Sequence, residues 1–151
     1  FVTTTEAAPE TAAPVVTALD PEALAFVNEA IAQDSVVMFA LEWCEFCWSI
    51  RKLFDRLGIE FCSVDLDSVE YQRDDLGGRI RPVLAHRTGV ATIPQIFIGG
   101  QHIGGCTEIF DACFDGSLER RFAALGIDSI SSRDIDLNKL LPQWVQPRKS
   151  A

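Results

Sequence analysis

The spacing of apolar and polar residues predicts alternating helices and strands in the first half of the chain. Asp20 before Pro21 is typical of a helix N-terminus, because Asp caps free N–H groups and Pro fits the first turn. The inward positions predicted for this helix are Leu24, Val27 and Ile31. The apolar run 36–41 predicts a strand, a second helix ends at Gly58, and 60–66 predicts another strand. Two strands joined by a helix imply a right-handed crossover and a parallel pair.

The middle of the chain is predicted to hold a polar connection followed by a helix. Residues 67–76 are polar and acidic and indicate a helical turn, which Gly77-Gly78 is predicted to break. A helix then restarts near Arg79 and ends at Gly89. Pro82 is expected close to its start, where a missing N–H costs least.

The last part of the pattern predicts a hairpin and two helices. Residues 95–98 form the first strand, Gly99-Gly100 the tight turn, and Gly104-Gly105 the end of the second strand. The next helix is predicted to turn Ile109, Phe110, Cys113 and Phe114 inward, and another covers 117–125. Later apolar residues are expected to pack on the domain or on a partner. They are Ile135, Leu137, Leu140, Leu141, Trp144 and Val145.

Composition is consistent with one domain and two tails. The chain has 151 residues, 48% of them hydrophobic, and its net charge of −9 opposes binding to nucleic acid. No apolar stretch reaches the roughly 20 residues that a membrane helix needs. Residues 1–19, rich in Thr, Ala, Pro and Glu, indicate a flexible tail or linker. The domain is predicted over 20–126 and a C-terminal extension over 127–151.

Five cysteines at irregular spacing are atypical of a secreted disulfide framework. We therefore expect a reducing intracellular compartment, the cytoplasm first and an organelle as the alternative. Because the chain begins with Phe1 rather than Met, a processed protein and one domain of a larger fusion both stay open.

The segment Cys44-Glu45-Phe46-Cys47 is the clearest indication of chemistry. It lies between a predicted strand and a helix, which places the first sulfur at backbone N–H groups and at the positive end of the helix dipole. That environment favours the thiolate, which is the nucleophilic form of cysteine. Cys47 follows one turn later, within reach for a disulfide, so the pattern predicts thiol–disulfide chemistry.

Two other interpretations of the C-x-x-C are a zinc site and a structural disulfide. Structural zinc needs four ligands, but there is no second C-x-x-C, and His86 and His102 are too far apart to form a ligand pair. A structural disulfide is less typical of a C-x-x-C beside a β-α-β pattern.

Three motifs, in this order, resemble glutaredoxin, a family within the thioredoxin-like fold. They are Trp43-Cys44-Glu45-Phe46-Cys47, Thr92-Ile93-Pro94 and Gly104-Gly105-Cys106-Thr107-Glu108. The resemblance covers about residues 21–126 and implies an α/β fold with a four-stranded mixed sheet flanked by helices. It implies a dithiol enzyme, a glutathione-dependent thiol–disulfide oxidoreductase, with Cys44 as nucleophile and Cys47 as resolving cysteine. The implied partners are glutathione and glutathionylated proteins or low-molecular-weight disulfides, and the implied state is a monomer.

The resemblance also implies a glutathione site. The X-Pro bond of the family is cis, so the Ile93 backbone would pair with the cysteinyl unit of glutathione. The segment after Gly105 would hold the γ-glutamyl end, because N–H groups at a helix start bind carboxylate and Glu108 can pair with the ammonium. Arg81 lies where the family contacts the glycyl carboxylate. The site residues implied are Arg81, Thr92, Ile93, Pro94, Gly105, Cys106, Thr107 and Glu108.

The chain also departs from the family pattern. Leu41 stands where the family often has Lys, and Glu45-Phe46 replaces Pro-Tyr, so the local positive charge is lower. Loss of that proline is associated in the family with a 2Fe-2S cluster bridged between two protomers with two glutathiones. This gives an alternative function, a cluster-binding dimer acting as carrier or sensor, in which Cys44 is the metal ligand. A thioredoxin-type reductase that does not use glutathione is a third hypothesis, which the segment 104–108 opposes.

The remaining aromatic, histidine and cysteine residues have simpler interpretations. Trp43 and Trp48 are predicted as cleft-wall and core aromatics, and His86 and His102 as surface or hairpin residues. Cys62 and Cys113 are predicted in the core, whereas Cys106 in the binding loop is open to oxidation.

Overall fold

A computed structural model describes residues 19–142, which form one sheet between two layers of helices. The elements are α1 (Pro21–Gln33), β1 (Val36–Ala40), α2 (Glu45–Leu57), β2 (Cys62–Asp65), α3 (Val69–Gln72), α4 (Leu76–Thr88), β3 (Gln95–Ile98), β4 (Gln101–Gly104), α5 (Cys106–Phe114) and α6 (Ser117–Ala124). Short 3-10 helices cover Arg73–Asp75, Ser132–Asp134 and Leu137–Leu140. The predicted tail up to residue 18, and also Trp144 and Val145, lie outside the described residues.

The sheet has four strands in the order β2-β1-β3-β4. β1 and β2 are parallel, with Val37 opposite Cys62, which confirms the predicted parallel pair. β3 is antiparallel to β1 and forms the predicted hairpin with β4. The mixed four-stranded sheet predicted from the sequence is therefore confirmed.

Every residue of β1 is buried, because helices cover both faces of the sheet. Val36, Met38 and Ala40 belong to a core that includes α2, α5 and α6. Val37 and Phe39 belong to a second core, on the side of α1 and α4. This two-sided burial explains why the strand is an uninterrupted apolar run.

The predicted break at Gly77-Gly78 is wrong, since both glycines lie inside α4. A Cβ atom on Gly77 would lie only 2.0 Å from the carbonyl oxygen of Leu66, so glycine allows the helix to approach the end of β2. Pro82 lies in the body of α4 rather than near its start. Pro82 and Gly78 are both exposed, which places the missing hydrogen bond on the solvent side of the helix.

Three of the predicted core positions are wrong. Leu24 is 38% exposed, because the face of α1 toward the sheet is formed by Ala23, Val27 and Ile31. Phe114, at the end of α5, is 55% exposed. Cys62 is only half-buried at the start of β2, whereas Cys113 is buried as predicted.

The segment after α6 packs on the domain as far as the structure describes it. Leu137 and Leu140 are buried in the core that contains α2. The N–H of Ile130 donates to the carbonyl of Leu57 at the end of α2, with 2.8 Å between the two atoms. We call residues 127–142 the extension. None of the helices in the described part of the chain is long and apolar enough to cross a membrane.

Candidate active site

The C-x-x-C lies at the N-terminus of α2, directly after the buried strand β1. Cys44 is the N-cap residue, with an extended backbone (φ −141°, ψ 121°), and its side chain is half-buried. Cys47 lies in the first turn and is fully buried. Both are free thiols, and Cys44 lies close enough to contribute to the raised pKa of Cys47. Cys44 is therefore the more accessible sulfur of the pair.

The Cys47 sulfur is buried between Cys44 and the chain before the helix, at Leu41. Burial raises the pKa of the Cys47 thiol to about 12, although the N–H of Leu41 and the charge of Arg51 act in the opposite direction. The nitrogen of Leu41 lies 3.5 Å from Sγ of Cys47. Cys47 is thus a thiol at neutral pH and becomes a nucleophile only after it loses a proton.

Arg51 is a residue of this site for which the sequence analysis gave no role. Its Nη2 donates to the carbonyl oxygen of Leu41 at 3.1 Å and to Oδ1 of Asp65 at 2.7 Å. Arg51 follows Cys47 by four residues, so both side chains lie on the same face of α2. That spacing was the available signal.

Trp43 and Trp48 form an aromatic surface next to Cys44 rather than a core. Trp43 is 81% exposed and Trp48 is 40% exposed, so the prediction of a core aromatic is wrong. Their rings meet edge to face with 5.8 Å between the centroids. The indole N–H of Trp48 donates to the carbonyl of Glu42 at 2.7 Å, which keeps the ring at the surface.

The loop before β3 has the cis Ile93–Pro94 peptide bond that was predicted. Pro94 is buried and Ile93 half-buried, whereas Thr92 is exposed. The loop is fixed by the buried side chain of Gln95, whose Nε2 donates to the carbonyls of Val90 at 2.6 Å and Thr92 at 3.1 Å. No role is predicted for Gln95 from the sequence, although a polar residue at the start of an otherwise apolar strand is a signal for one.

The start of α5 forms the third part of the site. Glu108 Oε1 accepts a hydrogen bond of 2.7 Å from the N–H of Gly105, the N-cap residue. A Cβ atom on Gly104 would lie 2.6 Å from Cγ of Glu108, and φ there is +135°, so glycine is required. Cys106 is buried, and burial followed by the nearby charge of Cys44 raises its pKa to about 12. Cys106 therefore lies close to Cys44, and Thr107 is exposed.

Arg81 is exposed on α4, and its role in a glutathione site stays a prediction. The neighbouring Arg79 is instead paired with Asp20 and Glu22 of α1, at 2.7 and 2.9 Å. His86 is exposed, and His102 is half-buried against Phe97. The structure thus brings together Cys44, Cys47 and Cys106 but gives Arg81 no contact with them.

A mixed sheet of this order, a C-x-x-C at the N-terminus of α2 and a cis-proline loop define a thioredoxin-like thiol protein. The glutaredoxin family model matches residues 36–103. A glutaredoxin of Ricinus communis is 39% identical over 84 residues, which cover 56% of this chain and 78% of that protein. The crystal structure of a buckwheat glutaredoxin–glutathione complex superposes with a TM-score of 0.65 at 34% identity, over 71% of this chain and 93% of that one. The chain belongs to the glutaredoxin family.

Some curated relatives are longer than the matched region. A monothiol glutaredoxin of Oryza sativa subsp. japonica is 34% identical over 102 residues, which are 68% of this chain and 60% of that protein. A chloroplastic glutaredoxin of Arabidopsis thaliana is 34% identical over 97 residues, 64% of this chain and 53% of that protein. The chain thus spans little more than half the length of these two relatives.

Proposed function

We propose that the protein is a dithiol glutaredoxin, a glutathione-dependent thiol–disulfide oxidoreductase. The observation that carries the proposal is the asymmetry of the cysteine pair at the start of α2. Cys44 is accessible at the N-cap, and Cys47 is buried close to it. An accessible nucleophile with a protected second thiol suits an enzyme that holds a mixed disulfide and then resolves it.

The reaction begins when the Cys44 thiolate attacks the glutathione sulfur of a mixed disulfide. The substrate sulfur leaves with the bonding electrons and takes a proton from solvent, and Cys44 is left bonded to glutathione. A second glutathione thiolate can attack the bound glutathione sulfur, which gives glutathione disulfide and frees Cys44. Alternatively, Cys47 loses its proton and attacks Cys44, which forms the Cys44–Cys47 disulfide and releases glutathione.

We further propose that glutathione lies along the cis-proline loop and the start of α5. Its cysteinyl unit pairs with the backbone of Ile93 beside Pro94, with Thr92 next to it. The γ-glutamyl carboxylate binds the N–H groups of Cys106 and Thr107, just after Gly105. Glu108 is exposed and binds Gly105 through Oε1, so its carboxylate can also face the ammonium. Cys106 lines this site, and Arg81 binds the glycyl carboxylate.

The substrates proposed are glutathionylated proteins and low-molecular-weight disulfides. This chemistry needs a compartment that supplies reduced glutathione. The cytoplasm remains the expected location, and the match to a chloroplastic relative supports an organelle as the alternative.

Serine variants of the two cysteines test the oxidoreductase proposal. We expect Cys44→Ser to abolish the reduction of a glutathione mixed disulfide, because no other accessible thiol lies at the helix start. We expect Cys47→Ser to retain activity, because glutathione alone can resolve the intermediate. The measurement is turnover coupled to glutathione reductase.

Cys62→Ser is the matched control, because Cys62 is half-buried at the opposite end of the β1–β2 pair. It should turn over like the wild type. Loss of activity in Cys47→Ser as complete as in Cys44→Ser would contradict resolution by glutathione. Full activity in Cys44→Ser would contradict the proposal as a whole.

A second candidate is a dimer that binds a 2Fe-2S cluster with glutathione. The observation in its favour is that the C-x-x-C offers one accessible thiol, Cys44, whereas Cys47 is buried. In residues 19–142 no three His, Cys, Asp or Glu side chains come together as a possible metal site, so the remaining ligands would come from a second chain and from glutathione. The exposed carboxylates of Glu42 and Glu45 near Cys44 oppose an anionic cluster.

A further inference from the structure

Two backbone peptide groups on either side of Leu41 are fixed at the end of β1. In the first, the carbonyl of Ala40 accepts from the N–H of Leu66 at 2.8 Å, and the N–H of Leu41 faces Sγ of Cys47. In the second, the carbonyl of Leu41 accepts from Arg51, and the N–H of Glu42 donates to Asp67 at 2.7 Å. Arg51 therefore fixes the peptide group that adjoins the one facing the buried thiol.

The guanidinium of Arg51 is itself held in place. Its Nη2 lies 2.7 Å from Oδ1 of Asp65, which also accepts from the hydroxyl of Ser63 at 2.8 Å. The side chains of Arg51 and Asp65 are only 25% and 29% exposed, so the pair is partly shielded from solvent. Because the guanidinium is held in place one turn after Cys47, its charge acts on the Cys47 sulfur from a constant position.

Few charged groups act on the Cys47 sulfur. At the start of α2 this is Cys44, and one turn after Cys47 it is Arg51. On β2, Asp65 is paired with Arg51. On α5, the charges of Cys44 and Glu108 act on Cys106. Arg51 is the cation among the groups that act on the Cys47 sulfur.

From this geometry we infer that Arg51 is a positioning residue for the ring-closing step, in which Cys47 displaces glutathione from Cys44. The inference rests on the proposed oxidoreductase function. Arg51 holds the chain at Leu41 so that the Leu41 N–H stays directed at Sγ, and its positive charge stabilises the negative charge that this sulfur carries during the exchange.

The chemistry of the two routes makes this role selective. In ring closure the Cys47 proton goes to solvent, a bond forms between Cys47 and Cys44, and glutathione leaves as a thiolate. In the reverse reaction, glutathione attacks Cys44 and Cys47 leaves with the bonding electrons. When a second glutathione resolves the intermediate, the Cys47 sulfur carries no charge at any point. Arg51 should therefore act on ring closure by Cys47 and not on resolution by a second glutathione.

The test measures the two routes separately in the full chain. Reduced protein is mixed with glutathione disulfide and quenched with acid, and the Cys44–glutathione adduct and its closure are followed by intact mass. We expect Arg51→Met to close roughly three- to tenfold more slowly than the wild type, and Arg51→Lys to recover part of the rate. Lys52→Met is the matched control, because it removes the same charge from the next, exposed position of α2, and it should close at the wild-type rate.

A second comparison separates this role from a general effect on the fold. In a Cys47→Ser background, Arg51→Met should leave the rate of adduct resolution by added glutathione unchanged. Closure at the wild-type rate in Arg51→Met, or an equal loss in both backgrounds, would overturn the inference while leaving the oxidoreductase proposal intact. Failure to form any Cys44–glutathione adduct in the wild type would overturn the oxidoreductase proposal. If Arg51→Met does not fold, Arg51→Gln is judged by the same criteria.

Discussion

At the scale of single residues, the site divides into side chains that react and side chains that hold the backbone. Cys44 and Cys47 are the proposed redox pair, whereas Arg51 binds the backbone carbonyl of Leu41 and Gln95 binds carbonyls of the cis-proline loop. Arg81 belongs to neither group, because it is exposed on α4. A ligand that reaches it would therefore be recognised by charge.

Arg81→Ala should weaken glutathione. The loss of a charge-assisted hydrogen bond to the glycyl carboxylate is expected to cost roughly 1.5–3 kcal/mol, about 10- to 150-fold in affinity. The Michaelis constant for glutathione and its dissociation constant both measure this effect. Arg87→Ala is the control, because Arg87 lies on the same helix but bonds to Asn28. Equal glutathione affinity in Arg81→Ala and the wild type would remove Arg81 from the site.

Single residues were predictable from the sequence where the signal is local. Asp20 as N-cap and the cis bond at Pro94 follow from short motifs, and both are observed. The exposure of Trp43 was not predictable, because aromatic residues are usually buried and only the loop geometry turns this one outward. The contacts of Arg51 depend on Asp65 of another strand, which no short motif contains.

At the scale of elements, the position of each helix depends on contacts that lie far apart in sequence. The glycines do not break α4, which begins at Leu76. Gly77 instead lets the first turn of the helix pack against the backbone of Leu66. The extension is likewise fixed by few groups: Ile130 bonds to the end of α2, and Ser132 bonds to Glu119 of α6. Sequence hydrophobicity predicted that the extension would pack but not where, because the polar partners on α2 and α6 have no local signature.

The contact between Glu119 and the extension should be sensitive to acid. Hydrogen bonds from the N–H and hydroxyl of Ser132 lower the pKa of Glu119 below its ordinary value of 4.5. A lowered folded pKa means that this carboxylate stabilises the fold above the unfolded pKa and loses that effect as the pH falls through the folded pKa. We expect the amide protection factor of Ser132 to fall below pH 4.5, as measured by hydrogen exchange corrected for intrinsic rates.

Glu119→Gln should show reduced protection at Ser132 already at neutral pH. Asp115→Asn is the control, since Asp115 bonds only within its own turn, to the N–H of Ser117. It should leave Ser132 unchanged. Protection that is independent of pH and unaffected in Glu119→Gln would show that the apolar residues alone hold the extension.

At the scale of the whole molecule, the face that carries Cys44 combines an exposed tryptophan with carboxylates. Trp43 is 81% exposed, and Glu42, Glu45 and Glu108 are exposed as well. The chain as a whole has a net charge of −9. Two copies joined through Cys44 would bring like charges together, which opposes self-association more than it opposes binding a small ligand.

We therefore expect anaerobic reconstitution with iron, sulfide and glutathione to leave a colourless monomer. Gel filtration and visible absorption measure the two properties together. A coloured dimer that bleaches when glutathione is removed would instead make the cluster-binding candidate the leading function. Cys44→Ser is the control in that case, because the colour should depend on this ligand.

The path of the extension has a practical consequence for how the protein is tethered. Lys139, Leu141 and Pro142 form one wall of a surface cleft of about 440 Å³, and Glu45 and Trp48, beside the cysteines, belong to the other. The described chain ends at this cleft, whereas α1 packs on the opposite face of the sheet. A purification tag, a dye or a surface linker attached at Pro142 would begin at this cleft, next to Glu45 and Trp48, so immobilisation and labelling belong on the side of α1.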